Sequence, residues 1–308
     1  MRTIFMGTPE FAVKALEEIH RDGHEIVAVY TQPDKPKGRS GKLQPPPVKV
    51  KALELGIPVF QPVKLREQEN VEQIKDLAPE IIVVAAYGQI LPVSILEIPP
   101  YGCINIHASL LPKYRGAAPI ERAILNGEKR TGVTTMYMAA GLDTGDMIEK
   151  SEVEIGPEDT GESLTAALAD VGGRLICSTI RKLRDKAAVR TPQSEAEATY
   201  AAKLDKEMGL LDFSRPASEL ERAVRALYPW PCTYTTIGGH TVKILGAEPT
   251  DQSGMPGEII EVTKKFFTIA CGGGALRIRK LQPEGKKPMD TAAFLNGNRL
   301  EVGDKAGA

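Results

Sequence analysis

At 308 residues, with 42% hydrophobic and 26% charged side chains and a formal net charge of −1, the chain is globular, long enough for two domains with separate cores, and free of an overall electrostatic bias. No stretch reaches the apolar length of a bilayer span and the first residues enter a strand without a cleavable-signal pattern, so a cytoplasmic protein is expected. Cys103, Cys177, Cys232 and Cys271 lie far apart without a CxxC pair, and only four histidines are present, which supports neither a disulfide frame nor a structural zinc site and predicts reduced, buried thiols.

The opening reads as strand, turn and helix: residues 2–6, Gly7-Thr8-Pro9, and residues 10–20 with Phe11, Ala15, Leu16 and Ile19 on one face. Residues 24–30 form a second strand, and the alternation of strands with helices of about ten residues predicts an α/β protein with a doubly wound, mostly parallel sheet. Gly7 lacks the GxGxxG spacing and no GxxxxGK[ST] occurs, so neither a dinucleotide nor an ATP site is indicated. His20 and His24 flank the Asp22-Gly23 turn and are expected to face solvent. Residues 31–51 are rich in proline and place Lys35, Lys37, Arg39, Lys42, Lys49 and Lys51 against a single acid, Asp34. Such a segment is either a solvated basic loop or an arm that follows a nucleic-acid backbone.

Residues 48–55 read as a helix stopped by Gly56, 57–60 as a strand and 66–77 as a helix. The continuous apolar run 80–86 marks a strand covered on both faces, and it ends at Tyr87-Gly88, followed by Gln89, Ile90, Leu91 and Pro92. Strand carboxyl ends in such sheets are where ligands bind. The alternating strand 103–107 sends Asn105 and His107 to the same side. It closes at Ser109-Leu110-Leu111-Pro112, with a basic turn at Arg115-Gly116 and Pro119 opening a helix that continues over 121–125. An amide and an imidazole facing a turn form either a site or a satisfied polar pair. After a strand at 132–139, the turn 141–146 carries Asp143 and Asp146 beside Gly141 and Gly145, and a further strand begins at Met147. Alone, Asp143 reads as a turn residue; near an imidazole, its carboxylate orients the ring for acid-base work.

Residues 160–184 form a long amphipathic helix with Leu164, Leu168, Leu175, Ile176 and Leu183 at helical spacings. A polar linker interrupted by Pro192 follows, giving domains at 1–186 and 206–308 with a linker at 187–205. The second domain is read as a helix at 216–227 and short strands at 233–237, 241–245, 257–262, 266–271 and 275–280, a spacing that suggests a small β-barrel. Gly238-Gly239 and the Gly272 to Gly274 run serve as hairpin turns, with His240 exposed beyond the first. This domain carries 14 basic and 12 acidic residues, an asymmetry that permits an RNA-facing surface without demanding one.

Asn105-Ile106-His107, the SLLPKYRG continuation and the LDTG turn at residues 142–145 resemble the folate-dependent formyltransferases. MGTPEFA at Met6, the TQPDKPKGRSGK loop, AAYGQILP at Ala85 and RGAAPI at Arg115 extend the likeness over essentially the whole chain, toward members that act on methionyl-initiator tRNA. The resemblance implies a Rossmann-like catalytic domain followed by an OB-like barrel, with a formyl group passing from 10-formyltetrahydrofolate to an amine with no metal or ATP step. It implies that Asn105 donates to the oxyanion, that His107 stabilises the same oxygen and moves a proton, and that Asp143 holds the imidazole and an ordered water. Gln89, Ile90, Leu91, Met138 and Gly141 would edge the pterin, and Ser109, Leu110, Leu111 and Pro112 would line the folate. The loop cations Lys35, Lys37, Arg39 and Lys42 would reach the tRNA acceptor arm, with Arg39 discriminating, while Arg277, Arg279, Lys280, Lys286 and Lys287 of the barrel contact phosphates. A monomer is expected. A sugar-nucleotide amine formyltransferase shares the triad but has little use for a basic arm. A 10-formyltetrahydrofolate hydrolase leaves the barrel and RGAAPI unexplained, and a non-catalytic RNA-binding protein leaves the intact triad unexplained.

Overall fold

The structure, a computed structural model, describes residues 1–36 and 41–307; Lys37 and Arg39 lie outside the described residues. Two compact units are present: Met1–Pro119, Arg130–Glu154 and Thr165–Ala201 form the first, and Ile120–Lys129, Ile155–Leu164 and Ala202–Ala308 the second.

The chain begins with β1 (Arg2–Gly7), α1 (Glu10–Arg21) and β2 (Glu25–Tyr30), then the short hairpin β3 (Lys35–Pro36) and β4 (Leu43–Gln44). It continues through α2 (Pro47–Glu54), β5 (Val59–Phe60), α3 (Gln68–Asp76), β6 (Ile81–Ala85), α4 (Val93–Leu96), β7 (Cys103–His107) and β8 (Arg115–Gly116). After α5 (Pro119–Leu125) come β9 (Arg130–Tyr137), β10 (Met147–Glu154), α6 (Gly161–Arg184) and β11 (Tyr200–Ala201). The main sheet has the order β10-β9-β7-β6-β1-β2-β5. Its members from β7 to β5 pair in parallel, while β9 and β10 join antiparallel at one edge. The mostly parallel sheet read from the alternation is therefore present. β6 lies between β1 and β7 with all five residues buried, which is why its sequence shows no polar alternation. α1 buries Phe11, Ala12, Ala15, Leu16 and Ile19, one apolar stripe at helical spacing.

The described residues of the basic segment are held by polar contacts at Asp34, Lys49 and Lys51. Lys49 Nζ donates to both Asp34 oxygens at 2.8 Å and to Gln61 Oε1 at 2.7 Å, and Gln61 Nε2 donates to the Gln32 carbonyl at 2.8 Å. Lys51 pairs with Glu17 at 3.1 Å and Glu54 at 2.7 Å. Lys49 and Lys51, which lie on α2, are thus spent on contacts within the first unit, while Lys35 and Lys42 are exposed.

His20 is exposed as expected, but His24 is buried, contrary to the expectation that it faces solvent. The sheet's first pairing draws it in: Met1's amino group lies 3.2 Å from its Nδ1, and Asp22 Oδ2 lies 3.4 Å from its Nε2. Burial, followed by the neighbouring Met1 ammonium, lowers its pKa below the ordinary 6.5. The unfolded chain therefore takes up this proton first, so stability is full above pH 6.5 and falls as the pH drops through the native value. His24→Gln is expected to flatten the acid-side decline of the urea midpoint between about pH 7 and 5; an unaltered decline would assign it to another group.

The second unit contains α7 (Ala217–Ala226), β12 (Thr233–Ile237), β13 (His240–Thr250), β14 (Ile259–Val262), β15 (Phe267–Ala270), β16 (Ala275–Pro283), β17 (Met289–Asp290) and α8 (Thr291–Leu295). Its strands run β12-β13-β16-β15-β14, with β17 on β16, all antiparallel. Gly238 and Gly239, at φ 56° and 77°, form the two-residue hairpin that joins Ile237 to His240. β13 outruns the expected 241–245 because irregular pairing around Gly246 lets it bend and continue along β16. Between β12 and β14 the final segment supplies the missing stave. Lys305 bridges Glu258 and Ala306 bridges Ile237, with Ala306 N–H donating to Gly257 and Gly307 N–H to Thr236 at 2.8 and 2.9 Å. Val242, Ile244, Phe267, Ile269, Leu276 and Ile278 fill the interior. All four cysteines are free and buried, and burial pushes the Cys103 thiol up to about 12.

Candidate active site

β7 lies between β6 and β9, with Asn105 opposite Val84 on one side and Met136 on the other, and His107 opposite Thr134. The period of two places the Asn105 and His107 side chains on one face of the sheet. Asn105 is half-buried and His107 buried. Asp143 meets both: its Oδ1 lies 3.5 Å from Asn105 Nδ2 and its Oδ2 3.6 Å from His107 Nδ1. The same Oδ2 accepts the Gly116 N–H at 2.8 Å, so β8 fixes the carboxylate from the other side. His107 Nε2 lies 2.9 Å from the Tyr114 carbonyl. Both ring nitrogens therefore face an oxygen, one a main-chain carbonyl and one a carboxylate.

The turns that make these contacts are strained. Tyr114 and Asp143 adopt left-handed φ of 60° and 50°, conformations that cost about 1–3 kcal/mol each and persist where surrounding contacts over-determine them. Two glycines permit the close approaches. A Cβ at Gly116, whose φ is 117°, would stand 2.7 Å from the Ala201 carbonyl oxygen, and one at Gly145 would run into the Tyr137 carbonyl. An amide donor, an imidazole and a carboxylate thus converge in fixed positions, suited to stabilising a developing oxyanion and moving a proton.

The other expected site residues are placed more variously. Ser109 is fully buried, its hydroxyl donating to the Lys113 carbonyl at 2.6 Å and its carbonyl accepting from Thr134 Oγ1 at 2.7 Å. Leu111 is fully buried with Met136 and Met147, so these two side chains shape the loop from inside. Leu110 packs toward Gly132, and the Pro112 carbonyl accepts from the Thr199 N–H at 3.4 Å. Gln89 spends its side chain on the Leu65 N–H and the Pro62 carbonyl, at 2.8 and 2.9 Å. Leu91 is buried beside it, while Ile90 is 87% exposed at the crest of that loop. Met138 packs against the apolar cluster under β6 and lines a cleft of about 460 Å³ with Tyr101, Cys103, Tyr137 and Arg190. Gly141 is exposed.

In the second unit, Arg277 and Arg279 stack over the Phe266 ring at 4.4 and 4.9 Å and face Glu261 and Glu248 at 3.8 and 2.9 Å. Lys280, Lys286 and Lys287 are exposed.

Residues 187–201, read from the sequence as linker, belong to the first unit. Thr191 pairs with Met147, and β11 pairs in parallel with β8. Gln193 Nε2 donates to the carbonyls of Asp143 and Gly145 at 2.7 and 2.8 Å. Arg115, expected in a basic turn, is instead an interior strand residue with no exposed side-chain surface; it binds the Glu195 carboxylate through both terminal nitrogens at 3.0 and 2.9 Å. That guanidinium holds the Glu195 carboxyl below the usual range. Partners this distant along the chain leave no periodic signal; the mixed Gln193 and Glu195 beyond a basic RG was the available hint.

Residues 1–180 match the Formyl transferase family and residues 203–299 match Formyl transferase, C-terminal domain. A methionyl-tRNA formyltransferase of Agathobacter rectalis is 50% identical over 305 residues, covering 98% of each chain. One from Geobacter sulfurreducens is 49% identical, covering 100% of this chain and 97% of its own. In fold, the chain is similar to an N-formyltransferase of Helicobacter canadensis solved with folinic acid and dTDP-3-aminofucose, at a TM-score of 0.69 and 20% identity over 92% of this chain and 99% of that one. HypX of Aquifex aeolicus with tetrahydrofolic acid gives a TM-score of 0.68 at 17% identity over 99% of this chain and 50% of that one. With both parts of the family matched and full-length relatives at half identity, the chain is an enzyme of the formyl transferase family and belongs among its methionyl-tRNA formyltransferases.

Proposed function

We propose that the enzyme transfers the formyl group of 10-formyltetrahydrofolate to the free amino group of methionyl-initiator tRNA, giving N-formylmethionyl-tRNA for translation initiation in the cytoplasm. The observation that carries this reading is half identity over nearly the full length to methionyl-tRNA formyltransferases, against 20% to the amino-sugar enzyme that shares the fold. The amine attacks the formyl carbon, forming a C–N bond, and the carbonyl pair moves onto oxygen. Asn105 Nδ2–H and His107 stabilise that oxyanion. Its collapse breaks the bond to N10 of the folate, and the proton lost by the amine reaches N10 with His107 as carrier, so tetrahydrofolate leaves neutral at that nitrogen. Asp143, 3.6 Å from Nδ1, keeps the ring oriented through the transfer.

In this reading residues 1–186 carry the catalytic domain, residues 187–201 complete it within the first unit before the connection up to residue 205, and 206–308 hold the tRNA. Backbone groups of Gln89, Ile90, Leu91, Met138 and Gly141 edge the pterin, and the turn from Ser109 to Pro112 supports the folate. Lys35, Lys37, Arg39 and Lys42 meet the acceptor arm. On the barrel, Lys280, Lys286 and Lys287 contribute more to phosphate binding than Arg277 and Arg279, whose charges face Glu261 and Glu248.

The deciding experiment follows labelled formyl from 10-formyltetrahydrofolate to initiator and elongator methionyl-tRNA, free methionine and an amino-sugar nucleotide. Preference for the charged initiator tRNA, weakening as salt rises, is expected. Transfer only to the sugar would overturn the tRNA assignment, and transfer to none of them the activity.

A further inference from the structure

We propose that Gln193 is a positioning residue of the active site: its side-chain amide fixes the turn that carries Asp143, and so the carboxylate that faces His107, resting on the reading of Asn105, His107 and Asp143 as the reacting groups. Gln193 uses both amide protons on this turn, at 2.7 Å to the carbonyl of Asp143 itself and 2.8 Å to that of Gly145. Asp143 stands at φ +50°, where a residue with a side chain stays only if its carbonyl and its neighbours are held. The amide has one workable orientation. Its Oε1 accepts from Arg115 Nε at 3.0 Å, and a flipped amide would set its NH2 against the guanidinium and its oxygen against two carbonyls.

Arg115 is in turn locked, buried and paired with Glu195 through its two remaining nitrogens. The carboxylate of Asp143 is held by the next residue, Gly116, at 2.8 Å, so Arg115-Gly116 and Gln193 grip Asp143 by side chain and by main chain together. The same stretch also supports the second acceptor of His107: Thr199 Oγ1 accepts from the Tyr114 N–H at 2.8 Å, and the Thr199 carbonyl accepts from the Arg115 N–H at 2.8 Å. Residues 193–201 therefore brace both acceptors between which the imidazole sits.

The test compares Gln193→Ala and Gln193→Glu in the full chain, each also combined with Asp143→Ala. The glutamate keeps the size and the acceptor for Arg115 but sets a carboxylate oxygen against two carbonyls. Both single variants are expected to lower kcat by about 10- to 100-fold, the scale of a misplacement of reacting groups by an ångström or less, with KM for both substrates unchanged and the fall in kcat, read well below Tm, larger than any loss of folded enzyme. On Asp143→Ala the further loss is expected to vanish, because the group being positioned is gone. Wild-type kcat in both Gln193 variants, full additivity with a slow Asp143→Ala, or a loss of kcat that only tracks a loss of Tm would each overturn the positioning role alone. An Asp143→Ala enzyme at the wild-type rate would instead remove the triad reading, and the role of Gln193 with it.

Discussion

Replacing His107 with alanine is expected to lower kcat by about 10²- to 10⁴-fold, the range for loss of a positioned proton carrier. Binding of tRNA and folate should persist. The ring is buried among its contacts, 2.9 Å from the Tyr114 carbonyl and 3.6 Å from Asp143, and alanine supplies no group that carries a proton there. Its removal also deletes the 2.9 Å contact with the Tyr114 carbonyl, so some loss of stability is expected as well. Single-turnover transfer at saturating substrates separates the effects, since a stability loss lowers the folded fraction without altering the rate of the folded enzyme. Weakened binding with normal turnover of bound substrate would defeat the catalytic role.

Asn105→Ala is expected to lower kcat by about 10²- to 10³-fold, as loss of one oxyanion donor does elsewhere. Asn105 Nδ2 is held near Asp143 Oδ1 at 3.5 Å, at the long limit of a hydrogen bond, which leaves its donor capacity largely for the substrate oxygen. Asn105→Asp should be slower still, because it replaces the donor with an acceptor and sets two carboxylates side by side. A wild-type kcat in Asn105→Ala, accompanied only by lower stability, would return Asn105 to the bland role of a satisfied strand amide.

Much of this arrangement is written locally. The unbroken apolar run of β6 announces a strand buried on both faces, and the alternation over 103–107 already sets Asn105 and His107 side by side. What lies beyond local pattern is pairing between distant segments. β8 and β11 are two residues each, too short for any period, and their parallel pairing turns an apparent basic turn into a buried strand and an apparent linker into part of the first unit. His24 is misread for a related reason: its polarity and its turn say surface, while the pairing of β1 with β2 encloses it. Asp143 is legible only with its motif, because a glycine-flanked aspartate has the chemistry of any turn until its partners are known.

The barrel's last stave has a consequence for the order of manufacture. Every strand of the first unit has been synthesised once residue Ala201 is added, so its pairing can finish while the remainder is still being translated. The barrel has no such head start. Its seam between β12 and β14 is closed by residues 304–307, so the nascent second unit keeps the outer edge of β14, and that of β12 beyond its contact with Leu210 and Leu211, unpaired until those residues have been added. Ribosome-bound chains arrested before and after Asp304 should therefore differ in protease resistance of the second unit and match in the first.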